Sequence, residues 1–168
     1  MRSYIERAKD FIKDIYPFIE DDPFTVETVE ATVSDYNWAK RRNVLVKSGS
    51  VRIALITSDY VVKYDYSPCH AEVYGGCEQE LKMYNFAKEQ GFDDLFAEIT
   101  RFEYEGMNFY IMPRINGIGK NRFSEADDFM SEEERDFCYD AGLCDLHHYN
   151  YGFRKGRVCI VDYACFGC

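Results

Sequence analysis

The hydrophobic period of this chain first changes at Asn43, and that change limits its fold more than any other feature. Upstream, the apolar residues recur at helical spacing: Tyr4, Ala8, Phe11 and Ile15 form one stripe, with Ile5, Ile12 and Tyr16 beside it. The spacing predicts a helix over 3–16, ended by Pro17, because proline removes a helical donor and clashes with the preceding turn. A second helix is predicted from Asp22-Pro23 toward Trp38, with Phe24, Val26, Val29 and Val33 inward. Downstream, 43–47, 50–56 and 60–65 are short β-branched and apolar runs, broken by Gly49 and by Thr57-Ser58-Asp59. They read as three antiparallel strands. A helix over about 77–90 follows, then two strands over 95–104 and 107–112 around the turn at Glu105-Gly106. Five strands with one helix inserted after the third make an α+β arrangement.

Residues 113–130 are polar and irregular. Ser131 and Glu134 have capping-box spacing and predict a helix to about Ala141. Tyr151–Phe153 and Arg157–Val161 then predict a tight hairpin across Arg154-Lys155-Gly156. The chain divides on this reading into a helical extension at 1–42, a β-rich part at 43–112 and a short part at 113–168.

The composition narrows the chemistry. With 168 residues the chain suits one domain, and a net charge of −10 disfavours a grip on a nucleic-acid backbone. No apolar run approaches membrane-spanning length and the N-terminus lacks a secretory segment, so the expectation is a cytoplasmic protein with no membrane and no nucleic-acid partner. Seven cysteines are then mostly reduced thiols. Cys165 and Cys168 have CxxC spacing, which Cys69, His70 and Cys77 could complete as a zinc site; buried or idle thiols are the favoured alternative.

The strongest chemical signal is Asp145-Leu146-His147-His148-Tyr149-Asn150 followed by Val158-Cys159-Ile160-Val161-Asp162-Tyr163-Ala164. Asn150 lies just before the first strand of the hairpin and Asp162 just after the second. A hairpin returns the chain to its start, so the two oxygen-bearing side chains belong at the same end. Asp145, five residues earlier on a loop, can reach that end too. Two carboxylates and a carboxamide oxygen suit magnesium, which also keeps water and phosphate oxygens.

This pattern resembles the protein-kinase superfamily: an Asp, an Asn five residues on, and a metal-binding Asp closing the next hairpin. The Asp-Leu-His…Asn form followed by Val-Asp-Tyr-Ala is closer to small-molecule (aminoglycoside-type) phosphotransferases and short bacteriophage kinases than to eukaryotic kinases. The resemblance covers about residues 43–164. It implies a two-lobed fold, with a five-stranded antiparallel N-lobe plus one inserted helix and a truncated helical C-lobe, and ATP and Mg2+ held between them. By it, Asp145 orients or deprotonates the acceptor hydroxyl, and Asn150 and Asp162 hold magnesium. Lys63, in Tyr60-Val61-Val62-Lys63-Tyr64, contacts the α- and β-phosphates, and Glu80 on the following helix is its acidic partner. Gly49 and Ser50 fall where a phosphate-covering turn belongs, and Met112 with Pro113 where a hinge offers backbone groups to adenine. His147 fills a place near the transferred phosphate, where a neutral histidine without a chemical role is an equal alternative.

Alone, most of these pieces are ordinary: a strand lysine is usually a solvated edge residue, Glu78 rivals Glu80, and Gly49 suits any hairpin turn. Their order on the right elements carries the resemblance. The departures are Leu143 two residues before Asp145, Tyr163-Ala164 after Asp162, and a single glycine in the phosphate turn. Six residues follow Asp162, so no activation segment or protein-substrate subdomain is expected in this chain. The leading expectation is an ATP-dependent phosphotransferase acting on a protein Ser/Thr or small-molecule hydroxyl. The alternative is a kinase-fold binding or inhibitor protein (a pseudokinase) that engages a partner without turnover. The helices at 1–42 lie outside the resemblance and either extend the core or contact a partner.

Overall fold

The structure is a computed structural model and describes residues 2–20, 22–118, 127–143 and 146–164. The chain forms two compact units, Met1–Cys77 with Ile99–Arg114 and Glu78–Glu98 with Ile115–Cys168.

The first unit is a five-stranded antiparallel sheet covered on one face by two helices. Its strands are β1 (Leu45–Ser48), β2 (Arg52–Ile56), β3 (Tyr60–Asp65), β4 (Thr100–Tyr104) and β5 (Met107–Pro113), in the order β1-β2-β3-β5-β4. The α+β class and the five-stranded antiparallel sheet expected from the change of period are both present. Side chains alternate across the sheet. Ile53, Leu55, Val62, Tyr64, Phe109 and Ile111 are buried on the face that joins the core with α1 (Tyr4–Ile19) and α2 (Val26–Lys40). From these helices Ala8, Ile12, Ile15, Val29 and Val33 are fully buried, each larger aliphatic contributing about 1.5–3 kcal/mol by leaving water. The N-terminal helices therefore extend the core of the sheet.

Two boundaries differ from expectation. Helix α1 runs through Pro17 to Ile19, because Ile19 is itself buried and the Glu20 amide bonds the Tyr16 carbonyl at 2.9 Å. Only one late helical bond is lost to the proline. Helix α2 starts at Val26, not at Asp22-Pro23; the Asp22 carboxylate instead accepts from the Phe24 amide at 3.4 Å, upstream of the helix. Phe24 consequently stands outside the helical stripe and is 49% exposed rather than inward.

Between β3 and β4 there are two helices rather than one: α3 (Pro68–Tyr74) and α4 (Cys77–Glu89). Ser67-Pro68 is a helix-start signal, with proline at the first helical position where its missing donor does no harm. The start of α4 is capped from β3. Asp65 Oδ1 accepts from the Cys77 amide at 3.0 Å, and Gly76 makes room for that carboxylate, since a Cβ there would stand 2.8 Å from Asp65 Oδ2. Glu105 and Gly106 both have positive φ, 49° and 78°, as a two-residue hairpin turn between β4 and β5 requires.

The second unit holds α4, a 3-10 turn at Asp93–Leu95, and a three-stranded sheet of β6 (Asn116–Gly117), β7 (Tyr151–Arg154) and β8 (Arg157–Ile160). The β7–β8 hairpin turns through Lys155 and Gly156, with φ of 52° and 82°. Strand β6 was not expected; two residues carry no periodic signal. It lies against β7 because Gly152 has no side chain: a Cβ there would come 2.7 Å from the Asn116 carbonyl oxygen. Helix α5 (Glu132–Asp140) carries the expected capping box, Glu134 N–H to Ser131 Oγ at 3.1 Å and Ser131 N–H to Glu134 Oε2 at 2.7 Å. Glu134 also accepts from Arg157 at the start of β8, tying the helix to the hairpin.

Among the described residues, no helix is long and apolar enough to cross a membrane.

Candidate functional site

In the first unit, Lys63 lies between Val62 and Tyr64 on β3, and those two face the helices. The pleat turns Lys63 to the other face, where it is paired with Ala54 on β2 and Tyr110 on β5. Its side chain is only 8% exposed, so it is not a solvated edge residue. A buried ammonium needs compensating polar or charged groups to remain protonated. Met112 pairs with Val61 and shares the Lys63 face of the sheet. The Arg114 amide bonds the Asp59 carbonyl at 3.0 Å, so by the alternation of an antiparallel ladder Val61 and Met112 form a hydrogen-bonded pair. The amide and carbonyl of Met112 are thus directed to β3.

Gly49 and Ser50 form the turn between β1 and β2, both exposed. Their carbonyls accept from the Tyr66 hydroxyl at 3.2 and 2.6 Å, and the Gly49 amide bonds Arg52 O at 2.9 Å. A Cβ at Gly49 would meet nothing within 4 Å. Neither backbone angle nor packing asks for glycine here, so the residue is free to serve a ligand.

In the second unit, the hairpin brings Asn150 and Asp162 to one end. The Val161 amide bonds the Asn150 carbonyl at 2.8 Å, which leaves the two oxygen-bearing residues a single step apart across the strands. Asn150 is 4% exposed and its own amide bonds the His147 carbonyl at 2.8 Å. His147 is exposed, and its Nδ1 accepts from the Tyr149 amide at 3.3 Å. Its imidazole shapes the turn into Asn150. Glu80, on the first turn of α4, is fully buried, whereas Glu78 is half-buried. Glu80 Oε1 accepts from the Tyr163 amide at 3.4 Å, so its carboxylate meets the peptide that follows Asp162.

Tyr163, which the sequence marked only as a departure from the resemblance, anchors that segment. Its hydroxyl donates to the Ala97 carbonyl at 2.6 Å and its ring meets Phe96 edge-on, while the Ala97 amide bonds Ile160 O at 2.8 Å. Burial raises its phenol well above the ordinary range, so it remains a neutral donor. An apolar run ending in a tyrosine was the available signal, and it does not distinguish a hydroxyl anchor from plain core.

Asp145 lies outside the described residues, as do Cys165 and Cys168. Among the described residues no group of three or more His, Cys, Asp and Glu side chains could hold a metal ion. Cys69 is exposed, Cys77 is buried, and burial pushes the Cys159 thiol up to about 11. The oxygen pair of Asn150 and Asp162 fits magnesium in kind, since that ion takes one or two protein oxygens and completes its shell with phosphate and water.

No protein-family profile matches the sequence, and no curated protein matches it. Among solved structures, the Legionella pneumophila kinase Lpg2603 bound to IP6 is similar, with a TM-score of 0.48 and 22% identity, over 76% of this chain and 49% of that one. The chain spans about half the length of that kinase.

Proposed function

We propose that this chain is an ATP- and magnesium-dependent phosphotransferase of protein-kinase-like fold, transferring the γ-phosphate to a protein Ser/Thr hydroxyl. The observation that supports the reading is the hairpin contact between the Val161 amide and the Asn150 carbonyl, which brings residues Asn150 and Asp162 to the same end of the hairpin. It is reinforced by the Glu80 carboxylate on the adjoining peptide and by a buried lysine at the middle of β3.

The roles follow from the chemistry of each group. Lys63 binds the α- and β-phosphates as a point charge. Asn150 and Asp162 hold magnesium, which neutralises polyphosphate charge when bound. Asp145 orients the acceptor hydroxyl and takes its proton as the new P–O bond forms and the β–γ P–O bond breaks, with ADP leaving. Positioning and electrostatics supply nearly all of the rate in such a transfer. His147, exposed beside Asn150, is near enough in sequence to meet the departing phosphoryl group. The Gly49-Ser50 turn covers the phosphates through the Ser50 amide, since the Gly49 amide bonds Arg52 O.

A melting-temperature titration with ATP and Mg2+ tests the binding half. A ligand that binds only the native state raises the midpoint, by about 2.7 kcal/mol of added stability at one hundred times Kd. The wild type is expected to shift, and Asp162→Asn to lose the part that depends on magnesium. Absence of any shift at millimolar nucleotide overturns the proposal. A shift that is indifferent to metal and survives Asp162→Asn turns the reading to a nucleotide-binding pseudokinase.

A further inference from the structure

We infer that the first unit carries a second binding site, for a small phosphate-bearing molecule, in the arginine-lined cavity between α1, the end of α2 and the β2–β3 turn. The cavity has a volume of about 630 Å³. Volumes of this order hold a small organic ligand. Phe11, Tyr36 and Tyr60 supply its aromatic wall, and Arg7, Arg41, Arg42 and Arg114 its cations.

The charge pattern is what selects an anion. The three carboxylates that line the cavity are each neutralised by a cation: Asp10 by Arg2 at 2.6 Å, Asp14 by Lys40 at 2.9 Å, and Asp59 by Arg7 at 3.0 Å. Arg41, Arg42 and Arg114 then have no carboxylate partner among the described residues. The Arg114 guanidinium donates to the Thr57 carbonyl at 2.7 Å, so Arg41 and Arg42 are the groups left to meet an anion.

A local feature points the same way. Arg41 ends α2 with φ of 51°, in the left-handed region where a helix end favours glycine. Holding an arginine there costs about 1 kcal/mol, a strain that a functional side chain justifies. Guanidinium groups are also the side chains best suited to phosphate, through paired planar donors.

The test uses inorganic pyrophosphate as probe, without metal, at ionic strength held constant with sodium chloride. Wild-type protein is expected to gain melting temperature as pyrophosphate rises. The Arg41→Gln/Arg42→Gln double variant, whose altered side chains are exposed, should melt like wild type without probe and bind pyrophosphate at least tenfold more weakly. Lys63→Met should keep the full shift, which separates this site from the nucleotide site proposed above. The inference is overturned if wild type shows no shift, if the double variant keeps it, if Lys63→Met loses it as strongly, or if sodium sulfate at equal ionic strength reproduces it.

Discussion

Replacing Gly152 with alanine should destabilise the protein, against the usual direction for a glycine in a strand. A glycine-to-alanine change at a compatible strand position stabilises by about 0.4–1 kcal/mol, because the unfolded chain loses freedom. At Gly152 the new Cβ would stand 2.7 Å from the Asn116 carbonyl oxygen and 3.3 Å from its carbonyl carbon, and closer still to the Ile115 side chain. Ile115 can turn away; the Asn116 backbone is held in β6 by its pairing with Phe153. Overpacking of this kind costs about 1–3 kcal/mol, so after the entropic gain a net loss of about 1–2 kcal/mol is expected. Gly49→Ala is the internal control, because its Cβ meets nothing within 4 Å and should leave stability unchanged or slightly raised. Urea denaturation of the two variants and the wild type, followed by far-ultraviolet circular dichroism, measures both changes. A Gly152→Ala midpoint equal to or above wild type would refute the close approach of β6 to β7.

Tyr163→Phe removes the hydroxyl that holds the Ala97 carbonyl at 2.6 Å in a site 2% exposed, and should cost about 1–3 kcal/mol in the same denaturation assay. An unchanged midpoint would mean that the segment after β8 is anchored by packing alone. The Asp14 carboxyl is held below the ordinary carboxylate range, chiefly by the hydrogen bond from Lys40, which outweighs the burial that opposes it. A depressed folded pKa gives stability that is complete above the unfolded value and is lost as pH falls through the folded value. Melting temperature should therefore drop below about pH 4 in wild type, and less steeply in Asp14→Asn. Identical acid limbs for the two proteins would remove Asp14 from the account.

Much of the architecture was legible because local chemistry and tertiary packing agree. The Ser131–Glu134 box, the Lys155-Gly156 turn and the alternating strands each specify one conformation, and the fold uses all of them. Local rules failed where packing overrode them or where an element was too short to show a period. Burial of Ile19 carried α1 past Pro17, and β6 depends on a missing side chain at Gly152, far away in sequence. The helix after Ser67-Pro68 had its start signal in plain view, but seven residues are too few for an apolar stripe to stand out. At the site, hairpin geometry alone brought Asn150 and Asp162 to one end. The burial of Lys63 and the choice of Glu80 over Glu78 depend on which face each element turns inward, and a single lysine or glutamate does not encode that. Tyr163 was hidden for the same reason, since the partner of its hydroxyl lies 66 residues away.

The central claim is phosphoryl transfer, and it is tested most directly by incubating purified protein with γ-labelled ATP, magnesium and cell lysate, then following the label onto protein. Wild type is expected to transfer label, and Asp162→Asn and Lys63→Met, each folded as judged by its melting curve, to lose transfer by two orders of magnitude or about 2.7 kcal/mol in the barrier. Transfer by either variant at the wild-type rate would contradict the account.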